Sequence, residues 1–167
     1  KNPEAAKALL IAVMGALQRC EKVENRDEAA AICAKRQWIN VPVEDVTDRM
    51  KGKFDYGVPG KVVDSSPHIM KYWRDHTSYP FQSHDLWFIT EDIRWGKYEA
   101  GFDAKTIIGK VNREDIWRDA AKEMGVAAAD IPAGKSRGKE TFFDGKVFDP
   151  ENPSAYLKSL SIKRVEV

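Results

Sequence analysis

The triplet Gly134-Lys135-Ser136 is the part of the sequence that most resembles a motif with a chemical function. A phosphate-binding loop needs the pattern G-x-x-x-x-G-K-S/T between a strand and a helix, so that backbone N–H groups surround the phosphates. The residue five positions before Gly134 is Ala129 instead of glycine, and no apolar helical pattern follows Ser136. The triplet therefore predicts a basic surface loop that binds no nucleotide.

The same loop also carries the side chains that would make a nucleic-acid interface. Lys135, Arg137 and Lys139 place three positive charges close together, without aromatic residues between them. The whole chain contains 27 basic and 26 acidic residues, so it lacks the broad basic patch that is typical of nucleic-acid-binding domains. A solvated basic turn is the interpretation that the sequence favours, and no nucleic-acid partner is predicted.

Histidines, carboxylates and serines form no catalytic or metal-binding pattern. The histidines are His68, His76 and His84, none of which pairs at the i, i+4 spacing of zinc proteases. The acidic pairs Glu91-Asp92 and Glu114-Asp115 fit helix surfaces, where they interact with the helix dipole or with water. No serine lies in a nucleophile-elbow motif. The sequence thus assigns no catalytic, cofactor-binding or metal-binding residue, and it does not predict an enzyme.

The two cysteines leave two alternatives open. Cys20 follows Leu9, Val13 and Leu17 on a predicted inward-facing stripe, and Cys33 lies on the stripe of the next helix. An oxidising compartment would favour a disulfide across this helical hairpin. The narrow window of about 4.4–6.8 Å between bridged Cα atoms favours two free thiols.

Helical patterns run through most of the chain and would have to position any site. Asparagine, serine or aspartate before an amphipathic run predicts a helix start, and glycine after the run, as at Gly96 and Gly125, predicts its end. The predicted helices begin at Asn2, near Asn25, within residues 41–50, at Ser66, at Ser83, at Asp103, at Asn112 and near Pro153.

Two segments do not fit a helix. Residues 51–61, KGKFDYGVPGK, contain three glycines and a proline, which predicts an irregular loop and the best candidate for a functional loop. The segment FFDGKVF predicts a hairpin with Asp144-Gly145 as its two-residue turn. The elements together describe an α-rich chain with one short β-hairpin.

Length and composition fit one domain, or one large lobe of a bigger protein. Of the 167 residues, 43% are apolar and 32% are charged, which suits a packed core and a soluble surface. The uncharged run from Ala8 to Gln18 is shorter than the about 20 apolar residues that cross a bilayer. No membrane-spanning segment is predicted. A helix start directly after Lys1 indicates a chain cut from a longer one.

Five stretches of the sequence together resemble one protein family. They are KNPEAAKALLIAVM, AAAICAKRQWINVPVEDV, YPFQSHDLWFITEDIRWG, KVNREDIWRDAAKE and ETFFDGKVFDPENPSAYLKSL. The chain resembles the nitrate/nitrite/bicarbonate-binding proteins of ABC importers, which have the periplasmic-binding-protein fold. The resemblance extends in order from about Asn2 to Lys163.

The resemblance implies a fold and a place within it. The family fold has two α/β lobes with a small oxyanion in the cleft between them. Residues 1–167 resemble only its C-terminal part, which implies an α-rich α/β fold with several helices and a short hairpin, as a single C-terminal lobe or segment. The ligand contacts are then expected N-terminal to Lys1. Helix starts at Ser66 and Ser83 would offer anion-binding N–H groups, but serine there is more often a plain cap.

The resemblance also implies partners and a location. The expected ligands are nitrate, nitrite or bicarbonate, bound through the missing N-terminal portion, and the expected protein partners are ABC permease subunits. The location would be the periplasm or the outer face of the cytoplasmic membrane. No cofactor is expected, except calcium if the longer protein binds bicarbonate. The alternative is a cytoplasmic nitrate-sensing regulatory domain, free or attached to the transporter ATPase.

Overall fold

The computed structural model describes residues 2–166, which are mainly helical. The helices are α1 (Pro3–Glu21), α2 (Arg26–Cys33), α3 (Glu44–Met50), α4 (Gln82–Arg94), α5 (Ala104–Val111), α6 (Glu114–Glu123) and α7 (Pro153–Ser159). The strands are β1 (Phe54–Asp55), β2 (Val62–Val63), β3 (Glu140–Thr141) and β4 (Val147–Phe148). The chain divides into two compact units, the first ending at Ser78 and the second beginning at Tyr79. Within the described range, no helix combines the length and apolar character that crossing a membrane requires.

Helix α1 begins where the sequence predicts, but the side of the helix that is buried differs from the predicted one. The Asn2 carboxamide accepts a hydrogen bond from the Ala5 N–H at 3.1 Å, and Pro3 occupies the first turn. Met14 is fully buried, whereas Leu9 is 68% exposed and Val13 45% exposed. The prediction that Leu9 and Val13 face inward is therefore wrong. The helix is apolar around most of its circumference, so the spacing of its apolar residues did not single out the buried side.

A buried arginine joins three elements of the first unit. Arg26, the first residue of α2, is fully buried. Its guanidinium donates to the Cys20 carbonyl at 3.0 Å, the Glu21 carbonyl at 3.2 Å and the Met50 carbonyl at 2.6 Å. These carbonyls lie at the ends of α1 and α3, so Arg26 supplies donors that the helix termini lack.

The stretch between α3 and the end of the first unit differs from the prediction in two ways. Strands β1 and β2 form an antiparallel pair, with Phe54 opposite Val63, which is a second hairpin that the sequence does not predict, although residues 51–61 contain no long regular element, as expected. No helix begins at Ser66, whose hydroxyl accepts from the His68 N–H at 3.1 Å in a local turn. Such a side-chain turn competes with a helix start.

The second unit contains a packed aromatic core. Phe148, Tyr156 and Leu160 form a buried cluster, against which Leu86, Trp87 and Phe142 pack. The rings of Phe148 and Tyr156 meet edge to face with centroids 5.5 Å apart. This core connects β4 and α7 to the middle of α4.

The predicted helix boundaries in the second unit are mostly confirmed. The Asp103 carboxylate caps α5 by accepting from the Thr106 N–H at 3.1 Å, and the Asn152 carboxamide caps α7 by accepting from the Ala155 N–H at 3.2 Å.

Gly96 (φ +73°) and Gly125 (φ +72°) end α4 and α6 in the left-handed conformation that glycine tolerates. Ser83 is not the cap of α4, because it lies inside the helix and the flanking residue is Phe81.

Two local predictions in the second unit are corrected in detail. The helix predicted to begin at Asn112 begins at Glu114 with Arg113 as its flanking residue, and the Arg113 guanidinium binds the Asp115 carboxylate at 2.7 and 2.8 Å. The β3–β4 hairpin is confirmed, but its loop is longer than the two-residue turn predicted. The Phe142 N–H donates to the Lys146 carbonyl at 2.8 Å, which leaves a three-residue loop containing Gly145 at φ +80°.

Candidate functional site

The basic loop at residues 134–139 packs on the first turn of α4. The Gln82 N–H donates to the Lys135 carbonyl at 2.8 Å, and the Arg137 N–H donates to the buried Ser83 hydroxyl at 3.0 Å. A short 3₁₀ helix precedes the loop and β3 follows it, so the strand-loop-helix context of a phosphate-binding loop is not present at Gly134. The triplet connects α6 to the hairpin, and its backbone is engaged in packing.

Lys135 of this loop contacts a hydrogen-bonded cluster around Glu114. Glu114 and Tyr79 are buried, and the Tyr79 hydroxyl donates to the Glu114 carboxylate while it accepts from Arg118. The Arg118 guanidinium lies 3.6 Å and the Lys135 ammonium 3.4 Å from carboxylate oxygens of Glu114. Burial, and then the hydrogen bond to Glu114, raises the pKa of Tyr79 to about 12. Glu114 is therefore not the surface carboxylate that the sequence predicts.

Asn112 attaches this cluster to the start of α4. Its amide donates to the Pro80 carbonyl at 2.9 Å and to the Asp85 carboxylate at 2.7 Å. Its carbonyl oxygen accepts from the Glu114 N–H at 3.1 Å. The polar groups of α4, α6 and the 134–139 loop thus compensate one another, and the cluster acts as a structural connection between these elements.

A cavity of about 200 Å³ opens beside the loop. Its walls combine apolar side chains with two lysines, a glutamine and a glutamate. They are Gln82, Ser83, Leu86, Lys105, Ile108, Lys135, Ser136, Pro150 and Glu151. The Lys135 side chain is 67% exposed, so water screens its charge. The cavity has the volume for a small polar molecule and is the candidate ligand site of the second unit.

The first unit contains an oxyanion-binding arrangement that its own carboxylate occupies. The N–H groups of Tyr72, Trp73 and Arg74 donate to one carboxylate oxygen of Glu21 at 2.8, 2.8 and 3.3 Å. The Arg74 guanidinium binds the other oxygen. Successive backbone N–H groups of this kind form an anion-binding nest. Partial burial favours the neutral carboxyl, but the bonds from Trp73, Tyr72 and Arg74 outweigh it and lower the pKa of Glu21 to about 2.

The same nest explains why the predicted helix at Ser66 does not form. A helix through residues 66–74 would require the N–H groups of Tyr72, Trp73 and Arg74 to donate to carbonyls one turn back. They donate to Glu21 instead, and Asp75 and His76 then take φ values of +59° and +56°. Ser66 therefore provides no helix N-terminus for an anion.

The remaining reactive side chains form no catalytic or metal-binding group among the described residues. Cys20 and Cys33 are free thiols, both half-buried. The His84 ring nitrogen lies 2.7 Å from the Glu140 carboxylate. Across residues 2–166, no group of three or more histidine, cysteine, aspartate or glutamate side chains is arranged to hold a metal ion.

Sequence reasoning missed three residues that shape these sites. Glu21 and Arg74 are 53 residues apart, and Arg26 bonds Met50 across 24 residues. All three have the appearance of ordinary charged residues at helix ends or in connections, whereas Glu114 and Lys135 lie in segments that the sequence singles out. No local pattern reports such distant partners.

No family model matches the chain. The chain is 53% identical over 166 residues to the nitrate/nitrite binding protein NrtA of Synechocystis sp. (strain ATCC 27184 / PCC 6803 / Kazusa), a match that covers 99% of this chain and 37% of that protein. It is 43% identical over 171 residues to the bicarbonate-binding protein CmpA of Synechococcus elongatus, covering 98% of this chain and 38% of CmpA.

A solved structure matches the chain at similar identity. The crystal structure of the periplasmic nitrate-binding protein NrtA from Synechocystis PCC 6803 superimposes with a TM-score of 0.91 and 55% sequence identity. The superposition covers 96% of this chain and 42% of the crystallised one. The chain therefore spans less than half the length of each of these relatives.

Proposed function

Because this chain belongs to the family of nitrate/nitrite- and bicarbonate-binding proteins, over the C-terminal portion of its members, we propose that it forms that portion of an oxyanion-binding component of an ABC importer. The observation on which the proposal depends is the 53% identity across 99% of the chain. Nitrate is the proposed substrate, ahead of bicarbonate, because identity to the bicarbonate-binding relative is 43%. The fold class predicted from the sequence, the C-terminal part of a periplasmic-binding-protein fold, is confirmed.

The proposed role is binding and delivery of the anion, without a chemical step. The relatives are binding proteins by name. The most buried titratable cluster of the second unit supports the same role, because the Glu114 carboxylate is already compensated by Tyr79, Arg118 and Lys135. A catalytic acid or base needs access to a substrate proton. We therefore assign no catalytic, cofactor-binding or metal-binding residue to this chain.

The oxyanion contacts are proposed to lie in the portion of the relatives that this chain does not span. A bound oxyanion must exchange its water shell for fixed donors, typically backbone N–H groups with a basic or polar side chain. The nest at Tyr72, Trp73 and Arg74 has such donors, but Glu21 occupies them. Lys135, one of the two lysines at the candidate cavity, is paired with Glu114.

The proposed location is the periplasm or the outer face of the cytoplasmic membrane, with ABC permease subunits as partners. The solved relative is described as periplasmic. A binding protein on that side can deliver its anion directly to the permease. The cytoplasmic sensing domain considered as an alternative has no support among these relatives.

Exchange of the matched portion tests the proposed function. We would replace the C-terminal portion of the Synechocystis relative with this chain and titrate the purified chimera with nitrate and with bicarbonate, using the unmodified relative as the control. The expected result is nitrate binding with a micromolar Kd, corresponding to about 8 kcal/mol, and weaker bicarbonate binding. A folded chimera that binds neither anion would contradict the proposal that this chain forms the C-terminal portion of an oxyanion-binding protein.

A further inference from the structure

Helix α1 exposes a continuous apolar surface, which we call its outer face. The outer face consists of Ala5, Ala8, Leu9, Ala12, Val13 and Ala16. These residues follow the spacing i, i+3, i+4, i+7, i+8, i+11, which places them on one side of a helix. All six are exposed, with Leu9 at 68% and Val13 at 45%. The outer face spans three turns and contains no charged side chain.

The opposite side of α1 is also apolar. Leu10, Ile11 and Leu17 are half-buried there, and Met14 is fully buried. Lys7 and Gln18 are the polar residues of that side, and a helix that is apolar around most of its circumference is typical of one covered on more than one side. Single exposed apolar residues are normal on a protein surface, but a contiguous apolar patch marks an interaction site. The composition of α1 therefore indicates that its outer face has a partner.

The first unit also has little core of its own. Among the described residues, its buried apolar side chains are Met14, Ala30 and Ala34. The second unit buries large side chains that include Trp117, Phe148 and Tyr156. Half-buried side chains such as Leu10, Ile11 and Leu17 add to these three, but the core of the first unit remains smaller than that of the second. The first unit therefore has apolar surface, including the outer face of α1, that a further contact would bury.

We propose that the outer face of α1 is the docking surface for the polypeptide that precedes the matched C-terminal portion in the longer relatives. This chain spans 37% of the nitrate/nitrite-binding relative, so more than half of that protein remains to provide the covering element. Alanine along the outer face permits a close approach of about 8–10 Å between axes if that element is a helix. Leu9 and Val13 would then insert between its side chains. The absence of charge on the outer face excludes recognition by ion pairing there.

The proposed docking surface depends on the chain's membership of the family but not on which anion the longer protein binds. An altered docking surface changes the stability of the longer protein without any anion present, whereas the proposed function is tested by anion titration. A failure of the docking proposal can therefore be distinguished from a failure of the proposed function.

The test compares one pair of substitutions in two settings. Leu9→Glu and Val13→Glu are introduced together into residues 1–167 and into the chimera with the Synechocystis relative, and thermal midpoints are measured without anion. In the chain alone the midpoint should change by no more than about 1 °C, because both side chains are exposed. In the chimera it should fall by about 5 °C or more, because two carboxylates then enter an apolar interface.

Ile107→Glu with Val111→Glu is the matched control. Both residues are exposed, on α5, and have the same i, i+4 spacing. The control pair should change the chimera midpoint by no more than about 1 °C. An unchanged chimera midpoint for Leu9→Glu/Val13→Glu would overturn the proposal, as would an equal loss in the control. A dimer of residues 1–167 that the Leu9/Val13 pair dissociates would show that a second copy is the occupant, which also overturns it.

Discussion

Glu21 determines the conformation of a segment more than fifty residues away. Its carboxylate collects the N–H groups of Tyr72, Trp73 and Arg74 and pairs with the Arg74 guanidinium. The sequence around residue 70 predicts a helix, and that prediction is wrong because the donors bond to Glu21 instead. A carboxylate with several backbone donors is a strong, charge-assisted acceptor. Residue types alone do not reveal it, since the partners are distant in sequence.

Glu21→Gln should therefore destabilise the chain in a pH-dependent way. The pKa of Glu21 is lowered to about 2 from an ordinary value of 4.5. The charged carboxylate thus stabilises the fold above pH 4.5, and this contribution is lost as the pH falls toward 2. The expected loss at pH 7 is about 2–3 kcal/mol in the free energy of unfolding, measured by urea unfolding, and it should shrink by pH 3.

Glu28→Gln provides a control for this measurement. Glu28 also pairs with an arginine, Arg19, but both side chains are more than half exposed. Its removal should cost no more than about 0.5 kcal/mol at either pH. An equal loss for Glu21→Gln at pH 7 and pH 3 would show that the charge of Glu21 does not hold the nest together.

At the scale of elements, the sequence predicts helix boundaries well where a cap is local. The side chains of Asn2, Asp103 and Asn152 each accept from an N–H three residues ahead, and this spacing is visible in the sequence. Ser83 has the same appearance but a different role, because its hydroxyl receives the Arg137 N–H from another segment. Caps were predictable wherever all partners lie within one turn, whereas contacts between segments were not.

Ser83→Ala and Lys135→Ala should separate packing of the 134–139 loop from the charge of its lysine. Ser83→Ala leaves the Arg137 N–H without its acceptor, which should cost about 1–2 kcal/mol and speed hydrogen exchange at the Arg137 amide. Lys135→Ala removes an exposed side chain and should cost no more than about 0.5 kcal/mol. Exchange at the Arg137 amide that is unchanged by Ser83→Ala would contradict this description of the loop.

At the scale of the whole molecule, the sequence predicted the family and fold class but not the division into two units. The five resembling stretches extend through both units, so they identified the family without marking the boundary at Ser78. The apolar pattern of α1 predicted a buried stripe and gave the wrong side of it, because both sides are apolar. The second unit has a core of its own, whereas the first exposes the outer face of α1. An incomplete surface of this kind agrees with a chain that spans 37% of its relative.

If the oxyanion contacts lie outside these residues, as proposed, residues 1–167 should not bind the anion on their own, which calorimetric titration measures. The chain would be titrated with nitrate, nitrite and bicarbonate under the conditions used for the chimera. We expect no binding tighter than about 1 mM for any of the three anions, an affinity of only about 4 kcal/mol. Saturable binding of one anion by residues 1–167 alone, with a micromolar Kd, would contradict this placement of the contacts, because the site would then lie within this chain.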